Sequence, residues 1–125
     1  MNGITLDAGA MIALDRNDRR VITLIERCTD RGMRITIPAA ALAQAMRNPA
    51  KQARLTRLIR QPETQLVSLD GPYATAVGLL LAKTGTADVA DAHVVVCALR
   101  ADQAVCTSDP DDLRRLAPEV SIVEV

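Results

Sequence analysis

Five short apolar runs, rich in β-branched residues and separated by stretches of helical periodicity, limit what this chain can fold into. They run from Gly3 to Asp7, Arg34 to Pro38, Gln65 to Ser68, Gln103 to Thr107 and Val120 to Val125. Strands that alternate with helices pair in parallel, because a crossover must return the chain to the start of the next strand. Parallel strands are covered on both faces. The expected class is therefore α/β, a mainly parallel sheet with helices on both faces. In such sheets ligands bind beyond the carboxyl ends of the strands, near the point where strand order reverses.

The helical stretches carry their own start and stop signals. Ala8 to Leu14 reads as a brief helix. Asp18 opens a second, with Val21, Ile22, Leu24, Ile25 and Cys28 on its apolar side, and Arg31-Gly32 closes it. Ala39 to Arg47 is helical until Asn48-Pro49 breaks it. A basic helix is expected from about Ala50 to Arg60, and Asp70-Gly71-Pro72 starts another through Tyr73, Val77 and Leu80-Leu81 to Lys83. Gly85 ends that pattern. Thr86 or Asp88 can cap the next helix, which is apolar nearly all round through Leu99. Ser108-Asp109-Pro110 caps a last helix from Asp111 to Ala117, with proline in its first turn.

A chain of 125 residues is expected to form one domain, spanning 1–125, with a core large enough to sustain it. That core is aliphatic, since there is no Phe or Trp and the only Tyr is Tyr73. Base-stacking RNA platforms, which rely on aromatic side chains, are disfavoured. The formal net charge is zero, so no global field announces nucleic acid. Cys28, Cys97 and Cys106 are odd in number and show no C-x-x-C spacing, as expected of buried thiols in a reducing compartment. No signal-peptide pattern or membrane span is visible, and a cytoplasmic protein is expected.

The acids fall where the sheet would gather them. Asp7 ends the first strand, Asp109 follows the fourth by two residues, and Asp91 lies in the first turn of the helix feeding that strand. Strand carboxyl ends and helix amino ends share one edge of a parallel sheet, so the three carboxylates can converge there. Singly, each also reads as a helix cap or a first-turn acid. Together they repel at close range unless a cation neutralises them. Carboxylates without a basic partner suit Mg²⁺ or Mn²⁺, hard cations that prefer oxygen ligands and promote phosphate hydrolysis. Asp111 or Asp112 can add a further carboxylate. Asp112 is the better placed, three residues after Asp109 on one helical face.

Four motifs in order then carry a resemblance over essentially the whole chain. They are Ile4-Thr5-Leu6-Asp7, Ile37-Pro38 running to Gln44, Asp88-Val89-Ala90-Asp91-Ala92-His93, and Val105-Cys106-Thr107-Ser108-Asp109-Pro110-Asp111-Asp112-Leu113. The sequence resembles a PIN domain, and more narrowly the VapC-like toxins of bacterial toxin–antitoxin pairs. The resemblance implies a three-layer, five-stranded PIN-like sandwich that cleaves RNA with Mg²⁺ or Mn²⁺. It implies Asp7, Asp91 and Asp109 as metal-binding carboxylates, with Thr107 and Ser108 flanking the site. It also implies a homodimer and a cognate antitoxin whose segment covers the acidic groove. One position departs from the pattern. Gln44 stands where the family commonly has a glutamate, so an oxygen donor remains but a charge is lost. Such a site supports one metal more readily than a pair. The alternative is a catalytically degenerate PIN domain that binds RNA or protein without cutting.

Arg47, Lys51, Arg54, Arg57 and Arg60 recur at steps of three or four, with Leu55, Leu58 and Ile59 between them. On one helix this gives a cationic side, either a solvated face or a phosphate-gripping surface led by Arg47, Lys51 and Arg54. His93 follows Asp91 by two positions and points elsewhere, as a structural residue. Two competing folds are excluded. A phospho-acceptor receiver needs an acceptor aspartate ending a middle strand and a late lysine, and no lysine follows Lys83. A nucleotide-binding fold needs a glycine-rich phosphate loop that the chain lacks.

Overall fold

The computed structural model describes residues 2–125. The elements run β1 (Gly3–Leu6), α1 (Ala8–Asp15), α2 (Arg19–Asp30), β2 (Arg34–Pro38), α3 (Ala39–Ala45), a 3₁₀ turn (Pro49–Lys51) and α4 (Ala53–Ile59). They continue with β3 (Thr64–Val67), α5 (Gly71–Thr84), α6 (Val89–Ala101), β4 (Ala104–Thr107), α7 (Pro110–Leu116) and β5 (Ile122–Glu124). The five strands form one sheet in the order β3-β2-β1-β4-β5, and every pairing is parallel.

This order decides where the layers and the site lie. The chain steps outward from β1 to β2 to β3, then crosses back to β4 and out to β5. Right-handed crossovers put α1–α4 on one face and α5–α7 on the other. Accordingly α5, α6 and α7 pack on one another and α1 packs on α2 and α4, while α3, at the edge of the sheet, packs on both α1 and α6. Strand order reverses between β1 and β4, whose register sets Leu6 beside Cys106. The core is aliphatic, as composition dictates. Ile4, Leu6, Met11, Ile35, Ile37, Val94, Val95 and Val105 are fully buried. The α5 and α6 boundaries follow their signals: Asp70 accepts from the Tyr73 N–H at 3.0 Å, and Gly85 closes α5 at φ +69°.

The basic segment departs from expectation. The single helix expected over 50–60 is a 3₁₀ turn and a short α4, separated at Gln52. The Gln52 side chain accepts from the N–H groups of Arg47 and Asn48, at 2.7 and 2.9 Å, and donates to the Ala45 carbonyl at 2.9 Å. Asp15, at the end of α1, accepts from the Leu55 N–H at 3.1 Å and from Gln52 Nε2 at 3.3 Å. The helix thus restarts at Ala53, with a free amino-terminal N–H taken by a carboxylate from a distant element. Arg47 and Lys51 do not share a helix with Arg54, Arg57 and Arg60. The ends of several elements also move. β3 lies at 64–67, α3 stops at Ala45, and β5 spans only 122–124 because its partner β4 offers just Val105 to Thr107 for pairing.

Candidate active site

A cavity of about 350 Å³ opens at the carboxyl edge of the sheet, where strand order reverses. Asp7, Gln44, Asp88, Asp91, Ser108 and Asp109 line it, together with Ala8, Gly9 and Ile12, and no basic side chain does. Asp7 is the buried member, at 6% exposure. It is both a cap and a wall, since its Oδ1 accepts from the Ala10 N–H at 2.8 Å at the start of α1. Burial pushes its carboxyl above the ordinary range and the Asp109 charge adds to this, while the Thr107 hydroxyl and the Ala10 N–H oppose it.

Asp91 sits in the first turn of α6, whose end is capped by Asp88 Oδ1 on the Asp91 N–H at 2.9 Å. Thr86, the alternative cap, hydrogen-bonds with the Thr84 hydroxyl instead. Burial, then the charges of Asp88, Asp7, Asp112 and Asp109, push the Asp91 carboxyl up to about 6. Asp109 does not cap α7 with its side chain. Its backbone N–H donates to Oγ1 of the fully buried Thr107 at 2.9 Å, and the residue lines the cavity. A hydrogen bond with Asp112, with a lesser contribution from burial and that residue's charge, raises the exposed Asp109 carboxyl.

Other expected residues lie apart from the cavity. Asp112 faces a smaller adjoining cavity of about 190 Å³ with Asp88, Asp91 and Arg115, and pairs with Arg115 at 3.8 Å. Arg47, Lys51 and Arg54 do not line the acidic cavity. The Arg47 guanidinium donates to the Ala43 and Met46 carbonyls, both at 2.8 Å, and so satisfies the end of α3. Arg54 and Arg57 border a groove between α2 and α4 with Leu14, Ile22, Ile25 and Leu58. His93 is fully buried; its Nδ1 accepts from the Ala40 N–H at 3.3 Å and its ring meets Tyr73 edge-on at 5.5 Å. That bond ties α6 to the start of α3, where Pro38 offers no side-chain cap.

Two cavity residues escaped the sequence reading as site residues. Asp88 had a visible signal as a cap, but its second position, on the cavity wall, depends on the packing of α6 beside β1. Gly9 had none. An added Cβ there would lie 3.3 Å from Ser108 Oγ and 3.6 Å from Asp7 Oδ1, so the glycine keeps the cavity open.

The donor chemistry fits a hard divalent cation. All the polar side-chain atoms offered are oxygens apart from the Gln44 amide nitrogen, and burial, followed by the charges of neighbouring aspartates, raises the Asp91 carboxyl. Among the described residues, no three acids, histidines or cysteines stand close enough together to enclose an ion by themselves. A cation there would draw on carboxylates that now stand apart, with water filling the remaining positions.

The sequence matches the family described as PIN domain over residues 4–118. Comparison with curated proteins gave no significant match. Among solved structures, the chain is similar to one in the crystal structure of VapBC2 from Rickettsia felis bound to a DNA fragment from their promoter. The TM-score is 0.73 at 13% identity, covering 98% of each chain. It is also similar to a chain of FitAcB from Neisseria gonorrhoeae, with a TM-score of 0.64 at 17% identity over 97% of this chain and 96% of that one. A structure of FitAB bound to an IR36 DNA fragment gives a TM-score of 0.64 at 16% identity, covering 97% and 94%. These likenesses concern the fold. No helix among the described residues is long and apolar enough to cross a membrane.

Proposed function

This chain belongs to the PIN domain family, and we propose that it is a metal-dependent endoribonuclease, the toxin of a toxin–antitoxin pair. Membership supplies the coarse reading, a nuclease. One observation carries the rest: the cavity at the point of strand reversal is lined by four aspartates and no basic side chain. A purely structural set of caps would not need to face one cavity together.

Asp7, Asp91 and Asp109 are the residues proposed to hold Mg²⁺ or Mn²⁺, with Asp112 beside them and Asp88 and Gln44 on the wall. The bound ion would stabilise charge developing on the phosphate and make a water more acidic. The chain's own contribution is to fix the oxygens. Ala10 N–H locks Asp7, and the Thr107 hydroxyl fixes the backbone of Asp109. With a carboxyl near 6, Asp91 is mostly ionised at neutral pH. Gln44 can hold a water through its amide without adding charge, and Ser108 offers a hydroxyl. An anionic RNA backbone is repelled by this wall until the carboxylates are neutralised. Lys51 and Arg54 remain candidates for contacts to more distant phosphates, whereas Arg47 would have to leave its carbonyls to serve. A cognate antitoxin and a homodimer complete the proposal; two of the similar structures, VapBC2 and FitAB, are bound to DNA fragments.

The test is cleavage of total and transfer RNA by purified protein in Mn²⁺, in Mg²⁺ and in EDTA, with Asp91→Asn and Gln44→Glu in parallel. Metal-dependent cleavage that disappears in Asp91→Asn is expected. Cleavage only in Gln44→Glu would replace the proposal by a binding protein on a PIN fold. An inert set that also binds no metal would reduce the aspartates to caps.

A further inference from the structure

A second cavity has the opposite electrostatic character. It measures about 460 Å³, larger than the acidic one, and lies between α5, α6 and the β2–β3 part of the sheet. Arg100 stands nine residues after Asp91 on α6, which is roughly 13 Å along the helix axis, so this cavity opens toward the other end of the sheet. No acidic side chain lines it.

Two guanidiniums do, Arg34 from β2 and Arg100 from α6. Neither makes an ion pair: among the described residues the only ion pairs are Asp111–Arg114 and Asp112–Arg115 on α7. Arg34 Nη1 reaches the Gln65 amide oxygen at 3.2 Å, which leaves the Gln65 NH₂ free to donate. The Arg100 guanidinium lies 4.5 Å from the centre of the Tyr73 ring. Stacking holds its plane while leaving the N–H edges available. Thr36, 3% exposed, adds a hydroxyl to the lining. Gln103, 6% exposed, accepts from the Thr5 hydroxyl at 2.9 Å and keeps its own NH₂ as a spare donor. Two cations, a hydroxyl and two side-chain amides thus converge on one cavity.

We propose that this cavity binds a small phosphate-bearing molecule of nucleotide size. Its volume lies within the roughly 300–1,000 Å³ range of small-molecule sites and far exceeds that of a lone anion. A carboxylate is commonly satisfied by one bidentate guanidinium, whereas the oxygens of a phosphate can occupy two guanidiniums, a hydroxyl and amides at once. The remaining amide groups of Gln65 and Gln103 face the space left for an organic part. The inference stands apart from the nuclease reading, because none of these residues lines the acidic cavity.

The test is calorimetric titration of the full chain with 5′-AMP, adenosine, inorganic phosphate and citrate, all in EDTA so that the acidic cavity takes no metal-bridged ligand. AMP is expected to bind at least about tenfold more tightly than the other three. Arg34→Ala and Arg100→Ala, both at exposed positions and checked for folding by circular dichroism, should each weaken AMP binding about tenfold or more. Thr36→Val, which keeps the side-chain shape, should weaken it a few-fold. Arg27→Ala, exposed on α2 in the opposite layer, should leave it unchanged. The proposal is overturned if AMP shows no binding up to about 5 mM, a limit at which ΔG falls near 3 kcal/mol. It is equally overturned if Arg27→Ala costs as much as Arg100→Ala, or if citrate or phosphate matches AMP.

Discussion

Replacing Asp91 by Asn should stabilise the metal-free protein. The Asp91 carboxyl titrates near 6 in the fold against 3.8 in a model peptide. Between those values the folded chain binds more protons than the unfolded chain, so its stability falls as pH rises across that window. The penalty is absent below about 3.8 and complete above about 6. A shift of this size corresponds to about 3 kcal/mol at most, and partial exposure of the group reduces it, so about 1–3 kcal/mol is expected. Asn reproduces the shape of the protonated acid without the charge. In EDTA at pH 7.5, Asp91→Asn should therefore melt higher by about 4–10 °C, and the gain should vanish at pH 3.5.

The comparison must be made as a difference between variant and wild type. Burial lowers the pKa of His93, so the fold loses stability as pH falls below 6.5, opposite in sign to the Asp91 effect. Adding Mn²⁺ should reverse the order, because only the wild type gains linkage stabilisation, about 2.7 kcal/mol at a hundred times Kd. A variant less stable than wild type in EDTA at pH 7.5, or equally stabilised at pH 3.5, would refute the idea of mutually repelling carboxylates around this cavity.

Three further outcomes follow from particular contacts. Gly9→Val should keep the fold, melting within about 5 °C of wild type, but weaken Mn²⁺ binding and cleavage about tenfold by filling the space beside Ser108 and Asp7. Unchanged Mn²⁺ titration would show that the cavity is not the metal site. Gln52→Ala removes side-chain bonds to Arg47, Asn48, Ala45 and Asp15, and should cost about 2–4 kcal/mol in urea unfolding, with faster amide exchange at Arg47 and Asn48. A loss under about 0.5 kcal/mol would mean that the segment holds its shape without this hub. Burial pushes the thiol of the fully buried Cys106 up to about 12, so its alkylation at pH 8 should track global unfolding and be negligible in the native protein. Rapid native-state labelling of Cys106 would contradict that burial.

What the sequence disclosed depended on the range of the interaction responsible. Caps act within three residues, so Asp18, Asp70 and Asp88 marked their helices correctly. Alternation of strands and helices implies a parallel sheet, whose strand carboxyl ends and helix amino ends share one edge. Asp7, Asp91 and Asp109 line one cavity there, whereas the order of the strands carried no local signal. The broken basic helix was hidden, because the carboxylate that restarts it, Asp15, lies 40 residues before its partner Leu55. Spacing of three or four made one helix of the arginines on paper. Long-range hydrogen bonds made two segments, with Arg47 turned back on α3. The role of Gly9 was equally hidden, since a glycine that leaves room for a distant serine shows no local pattern.

The zero net charge is the clearest case of information that averaging removes. It excluded nothing, because the fold sorts the charges by place: aspartates at the strand-reversal edge, and Arg34 and Arg100 at the far end of α6. With a separation of roughly 13 Å along α6 against a screening length of about 8 Å at physiological salt, the two cavities scarcely feel each other. Each can therefore hold an unneutralised charge that a shorter separation would have paired off. Uncompensated charge withdrawn from water is costly to keep, and Asp7 and Asp91 carry that cost, whereas Arg34 and Arg100 are exposed. A cation on the aspartates would lower it.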